Sequence, residues 1–187
     1  MNAFYSAFRA MQATQLARGK TKWLQLGWVY VDSGNILQKY LSSEETLSVH
    51  YDILDTEAIV AKIEAMGDAL SVVVLECPTN PFCQIADLKL IAECVHRHGG
   101  LLLIDPSIVS LYNIDCFPYA DVLVTSLTKY AAHTGDVMAG AILFNEASPV
   151  YLELKKQGIE YTLPLDDLDM LALNKTLQSA ESHVQTM

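Results

Sequence analysis

Three runs of almost uninterrupted apolar residues constrain this chain more than any other feature: SVVVL at 71–75, LLLI at 101–104 and DVLVTS at 121–126. A strand with one wet face alternates apolar and polar residues. A solid run is how a strand covered on both faces reads, and such strands belong to parallel sheets between two layers of helix. The spacer between the first two runs agrees. Asp87 opens a stretch in which Leu88, Ile91, Ala92 and Val95 recur at three- and four-residue steps, and Gly99-Gly100 closes it. Strand, helix, strand at this spacing is the βαβ unit of an α/β fold. The expectation is a three-layer α/β/α architecture with a mostly parallel sheet.

The flanks extend this pattern. Residues 46–50 predict a short strand, and residues 55–66 a helix with Ala58, Ile59, Ile63 and Ala65 on its apolar side. Residues 2–17 predict a helix with Ala3, Phe4, Ala7, Met11 and Leu16 inward. Residues 163–187 predict one long amphipathic helix carrying Leu165, Leu168, Leu171, Leu173 and Leu177. No internal repeat, linker or low-complexity tract divides the chain, and 187 residues suit one domain with a sizeable core. Residues 1–187 are therefore expected to form a single unit, and it reads as the middle of something larger.

Composition narrows the function classes. With 12 Lys+Arg against 22 Asp+Glu the formal charge is −10, which argues against nucleic acid and anionic membrane surfaces as partners. No run approaches the ~18–20 apolar residues of a membrane span. The first nine residues lack the basic-then-apolar order of a secretory signal. The expected compartment is the cytoplasm. Cys77, Cys83, Cys94 and Cys116 form no CxxC pair and are expected to be reduced, mostly buried thiols. His96 and His98 stand two apart on a predicted helix, where they point in different directions, and His50, His133 and His183 are isolated. No metal site is expected.

In an open parallel sheet, ligands bind beyond the carboxyl ends of the strands. Three stretches fall there: Glu76-Cys77-Pro78-Thr79-Asn80-Pro81, Asp105-Pro106-Ser107 and Ser126-Leu127-Thr128-Lys129-Tyr130. Each has a plain reading. Asp105 suits a cap on a following turn, Asn80 an ordinary turn residue, Lys129 a surface residue, and Ser126 and Thr128 can bond nearby backbone. Their joint placement at three successive strand ends is what points to a site holding a carboxylate, an amide, two hydroxyls and an amine.

The motifs ECPTNP, LLLID and TSLTKY, followed by GDVMAG at 135–140, resemble the fold-type-I pyridoxal-phosphate enzymes of the cystathionine γ-synthase (Cys/Met metabolism) family. The order and gaps agree through nearly the whole chain. That resemblance implies that the chain is an incomplete large domain of a pyridoxal 5'-phosphate-dependent enzyme. It also implies that Lys129 holds the cofactor covalently and later acts as general base. Asp105 would pair with the ring nitrogen, Asn80 with the ring hydroxyl, and Ser126 and Thr128 with the phosphate. The start of the first helix, around Met1, Asn2 and Ala3, matches the tail of the family's phosphate-binding turn. Tyr30, in GWVYVDSG, is similar to the tyrosine that stacks on the ring, and reads equally as a core or interface tyrosine.

This chain departs from the family's usual residues at Pro106-Ser107, at Cys77 and at Ala131-Ala132-His133-Thr134. The resemblance implies that the family's N-terminal arm and small C-terminal domain are absent from these 187 residues. The activity implied is elimination or γ-replacement on a sulfur-containing or activated amino acid, in a homo-oligomer whose contact surface includes Trp23, Trp28, Tyr30 and Tyr40. The 187 residues by themselves are expected to be poorly active, because no arginine looks placed to hold a substrate carboxylate. Two alternatives stay open: a non-catalytic remnant that dimerises or binds, and an unrelated doubly wound binding domain.

Overall fold

The computed structural model describes residues 1–41, 43 and 45–186. Its centre is a six-stranded sheet built from β1 (Lys22–Leu26), β2 (Leu47–His50), β3 (Leu70–Glu76), β4 (Leu101–Asp105), β5 (Val122–Ser126) and β6 (Gly140–Phe144). The strand order is β2-β1-β3-β4-β5-β6, parallel throughout except that β6 runs antiparallel to β5. The expected three-layer, mostly parallel architecture is present.

Alternate residues of the apolar runs serve opposite layers. Val72, Val74, Leu101, Leu103, Val122 and Val124 pack with Phe4, Ala7, Phe8 and Met11 of α1 (Asn2–Leu16), and with Leu37 of α2 (Val31–Tyr40) and Leu154 of α5 (Tyr151–Tyr161). Val73, Leu75, Leu102, Ile104 and Leu123 pack on the other face. Their partners are Ile59 and Ile63 of α3 (Thr56–Met66), and Ile91 and Val95 of α4 (Leu88–Arg97). Asp55 and Asp87 cap α3 and α4 by accepting from the Ala58 and Leu90 amides, each at 3.0 Å. Each cap satisfies an otherwise orphaned donor of the first turn.

Several expectations are corrected. Strand β1, helix α2 and strand β6 carry no clean periodicity and were not foreseen. Ala65 is exposed on α3. On α1, Leu16 faces solvent while Gln15 is buried. The Gln15 amide nitrogen donates to the carbonyls of Ser71 at 2.8 Å and Gly99 at 3.1 Å, so it joins α1 to the start of β3 and to the turn before β4, where a leucine would offer no donor to either acceptor.

Residues 163–187 are not one helix. They form α6 (Asp167–Leu177) and α7 (Ala180–Gln185), separated by a break at Gln178-Ser179, and Met187 lies outside the described residues. Of the five leucines expected inward, only Leu173 is buried and Leu165 is half-buried, because a small cluster with Ala131, Ala132 and Val137 is all that α6 covers. No helix among the described residues is long and apolar enough to cross a membrane.

Candidate active site

Register brings the chemistry together at the carboxyl edge. Glu76 ends β3 and is paired in register with Asp105, which ends β4, and Ser126 ends the neighbouring β5. Gly27 follows β1 with φ +69°, and a Cβ there would stand 2.8 Å from Ile53 Cγ2, so only glycine turns the chain at this point. That turn carries Trp28 and Tyr30 across the strand ends. Tyr30 then caps α2, whose N-terminus faces the same edge.

Asp105 lies beneath a crevice lined by Phe4, Val29, Ser33, Leu103 and Glu76. Burial raises its carboxyl above the ordinary aspartate value, opposed by hydrogen bonds from Ser107 and by the positive Met1 terminus. The Ser107 amide donates to Asp105 Oδ1 at 2.9 Å. That is the plain turn geometry expected of an Asp-Pro-Ser sequence, and it coexists with a carboxylate turned toward the crevice. Ser107 Oγ accepts from the Ser126 amide at 2.7 Å, and Tyr130 Oη donates to the Ile108 carbonyl at 2.6 Å. The loops after β4 and β5 are thus tied to each other on either side of Lys129.

Lys129 stands three residues past β5, exposed, and takes part in no ion pair among the described residues. Thr128 Oγ1 accepts from the Ala139 amide at 3.1 Å and donates to the Ala139 carbonyl at 3.3 Å, which sets the turn presenting Lys129. Asn80 is exposed in the turn after β3. Met1 and Asn2 start α1 beside β6: a Cβ on Gly140 would come within 3.0 Å of the Ala3 Cβ. Asn2 Oδ1 accepts from Ser6 Oγ at 3.2 Å and from the Leu163 amide at 3.4 Å. The side chain of Asn2 therefore joins α1 to the segment before α6.

The residue that sequence reasoning left out of the site is Glu76. It is buried, its Oε1 accepts the Tyr30 amide, and burial with the neighbouring Asp105 charge pushes its carboxyl up to about 7. The signal was present as a glutamate directly after an apolar run, where charge has no packing role. Trp23, in contrast, does not belong to an exposed contact surface. It is a core residue against Phe8, with ring centroids 5.1 Å apart, whereas Trp28 is exposed and packs on Tyr51.

Away from the edge, His96 Nε2 meets Asp121 Oδ2 at 2.9 Å and His98 Nε2 meets Glu64 Oε2 at 2.8 Å, so the two histidines do diverge. Glu64, Cys94 and His98 bring possible ligand atoms within 4.8 Å of one another. Arg97 holds Glu64 Oε1 at 2.7 Å, and the group is satisfied as an ion-pair cluster. The cysteines are all free, with only Cys83 exposed.

The donor set fits a phosphorylated pyridine aldehyde. A desolvated carboxylate suits a ring cation, an unpaired exposed amine suits covalent capture of an aldehyde, and a helix start beside hydroxyls suits a phosphate. A doubly covered, mostly parallel sheet with donors gathered at its carboxyl edge is the α/β class of fold that binds ligands beyond its strand ends. The family model described as Cys/Met metabolism PLP-dependent enzyme matches residues 3–173, and the chain belongs to that family.

An L-2-amino-4-chloropent-4-enoate dechlorinase/desaturase of Streptantibioticus cattleyicolor is 34% identical over 156 residues, which are 83% of this chain and 31% of that protein. A cystathionine gamma-synthase of Neurospora crassa is 30% identical over 179 residues, 93% of this chain and 29% of that protein. The crystal structure of cystathionine gamma-lyase from yeast shares the fold with a TM-score of 0.75 at 21% identity, over 97% of this chain and 45% of that one. The chain thus spans under a third of the length of these two curated relatives and under half of the yeast structure.

Proposed function

We propose that this chain is the cofactor-binding part of a pyridoxal-phosphate-dependent enzyme performing elimination or γ-replacement on sulfur-containing or activated amino acids. The observation that carries the reading is the edge itself, where half-buried Asp105 ends β4 and exposed Lys129 follows β5, on segments tied by Ser107 and Tyr130. When bound, the cofactor supplies an electron-withdrawing ring that stabilises negative charge at the substrate α-carbon. Lys129 Nζ would hold the cofactor aldehyde and, when free, would serve as the base for the α proton. Asp105 keeps the ring nitrogen charged. Ser126, Thr128 and the start of α1 at Met1 and Asn2 hold the phosphate, Asn80 the ring hydroxyl, and Tyr30 covers the ring.

The named relatives support γ-carbon chemistry, one as a dechlorinase/desaturase and one as a synthase. Exposed Trp28, Tyr30 and Tyr51 at the same edge support a homo-oligomer with a shared contact there, and the four free cysteines support a reducing compartment such as the cytoplasm.

One observation favours the second reading, a folded domain that binds without turning over. Arg9 lies over the Tyr40 and Tyr161 rings, Arg18 bonds Gln15 and Arg97 bonds Glu64, so none of the chain's three arginines stands at the edge to hold a substrate carboxylate.

The test is to mix the purified chain with pyridoxal phosphate, reduce with borohydride and map the modified peptide by mass spectrometry. Stoichiometric label on Lys129 is expected. Label scattered over surface lysines, or none, overturns the cofactor reading. An assay with cystathionine and homoserine esters then separates enzyme from binding domain.

A further inference from the structure

We propose that Glu76 is a positioning residue of this cleft: its carboxylate tethers the Tyr30 backbone and so sets where the aromatic wall stands relative to Asp105. The inference rests on the cofactor reading above and adds a residue to it.

Glu76 and Asp105 are register partners on adjacent strands and line the same crevice, so a buried and a half-buried carboxyl stand side by side. Such a pair is costly, and nothing in packing calls for it. A glutamine would accept one amide with less desolvation. What a carboxylate adds is negative charge at a helix start: its Oε1 accepts the Tyr30 amide there, and the Asn80 backbone amide after β3 also favours the charged form. Tyr30 is the N-cap of α2 and supplies no side-chain cap of its own, so the Glu76 carboxylate acts as the anion at that helix start.

The consequence is local. Tyr30 has an exposed ring, and its backbone is fixed from β3 by this one side chain. Val29 and Ser33, on either side of it, line the crevice over Asp105. Moving the Tyr30 backbone therefore moves one wall of the cleft while leaving the sheet intact.

The experiment compares wild type, Glu76→Gln and Glu76→Ala as full chains, by amide exchange at Tyr30 without cofactor and by pyridoxal phosphate titration of tryptophan fluorescence. Losing a hydrogen bond to a charged group corresponds to roughly 10–100-fold, so exchange at Tyr30 is expected to accelerate by that factor in Glu76→Ala and less in Glu76→Gln. Cofactor affinity should fall in the same order, with core amides such as Val74 unchanged. A merely structural role would speed Tyr30 and Val74 together and lower the urea midpoint in step.

Unchanged exchange at Tyr30 in a folded Glu76→Ala chain overturns the tether, as does acceleration confined to the pace of the core. Should Glu76→Ala not fold, Glu76→Met, which fills the space without an oxygen acceptor, decides by the same measurement. Wild type that takes up no pyridoxal phosphate defeats the cofactor reading instead, and the exchange ratio at Tyr30 still decides whether Glu76 holds that wall.

Discussion

The Ser126 amide donates to the Ser107 hydroxyl at 2.7 Å, and the Ser107 amide donates to the Asp105 carboxylate at 2.9 Å. One small residue therefore connects the ends of two strands, its hydroxyl accepting from one and its backbone amide donating to the carboxylate of the other.

Replacing Ser107 with alanine removes the acceptor for a half-buried amide. We expect a loss of about 1 kcal/mol in urea unfolding, with Ser107→Thr close to wild type. An unchanged midpoint in Ser107→Ala would show that the link between the two loops carries no stability.

Asp105→Asn keeps the shape and the Ser107 amide bond but removes the charge. Pairing with a ring cation is a charge-assisted contact, so cofactor affinity should fall on the order of 10–100-fold by fluorescence titration while far-ultraviolet circular dichroism is retained. Equal affinity in the variant would remove Asp105 from its assigned role.

Asp121 is buried and serves three donors: the Leu102 amide at 2.8 Å, Ser148 Oγ at 2.5 Å and His96 Nε2 at 2.9 Å. It joins β4, the start of β5 and the loop before α5 without touching the cleft. Asp121→Ala is expected to cost about 3–5 kcal/mol, a large fraction of a domain's stability, measured as a fall in the urea midpoint. A shift below ~1 kcal/mol would mean that water replaces the carboxylate.

Stability should fall as pH rises from 5.5 to 8. Glu76 titrates near 7 in the folded chain against an ordinary value of 4.5, so its contribution is full below 4.5 and is lost as pH rises through about 7. His96, raised from 6.5 by its hydrogen bond to Asp121, acts in the same direction: the pair's contribution is full below 6.5 and fades as the imidazolium loses its proton. Urea midpoints across this range test the sign. Glu76→Gln should flatten the slope, and a slope identical to wild type would show that Glu76 ionises normally.

The strand ends were legible because their signals are local. A run such as SVVVL states burial on both faces, and the residue following it is by geometry at an edge. Helices α3 and α4 were legible from Asp55 and Asp87, whose caps hold. Strand β1 was not, because Lys22 and Gln25 interrupt its apolar residues, and Gln25 Nε2 spends its polarity on the Gly27 carbonyl at 3.0 Å. The C-terminal segment misled because leucine spacing reports what a helix can bury, while α6 meets only a small cluster and leaves Leu168 and Leu171 to solvent.

By itself the sequence determined the layered α/β class and the three strand-end motifs, since both are written in windows of a few residues. Only the tertiary structure decided that Glu76 reaches back 46 residues to hold Tyr30, that β6 closes the sheet in the opposite direction, and that Gln15 is buried beside an exposed Leu16. Those outcomes depend on which strands become neighbours and at what register, and pairings between distant segments leave no periodic mark in either one.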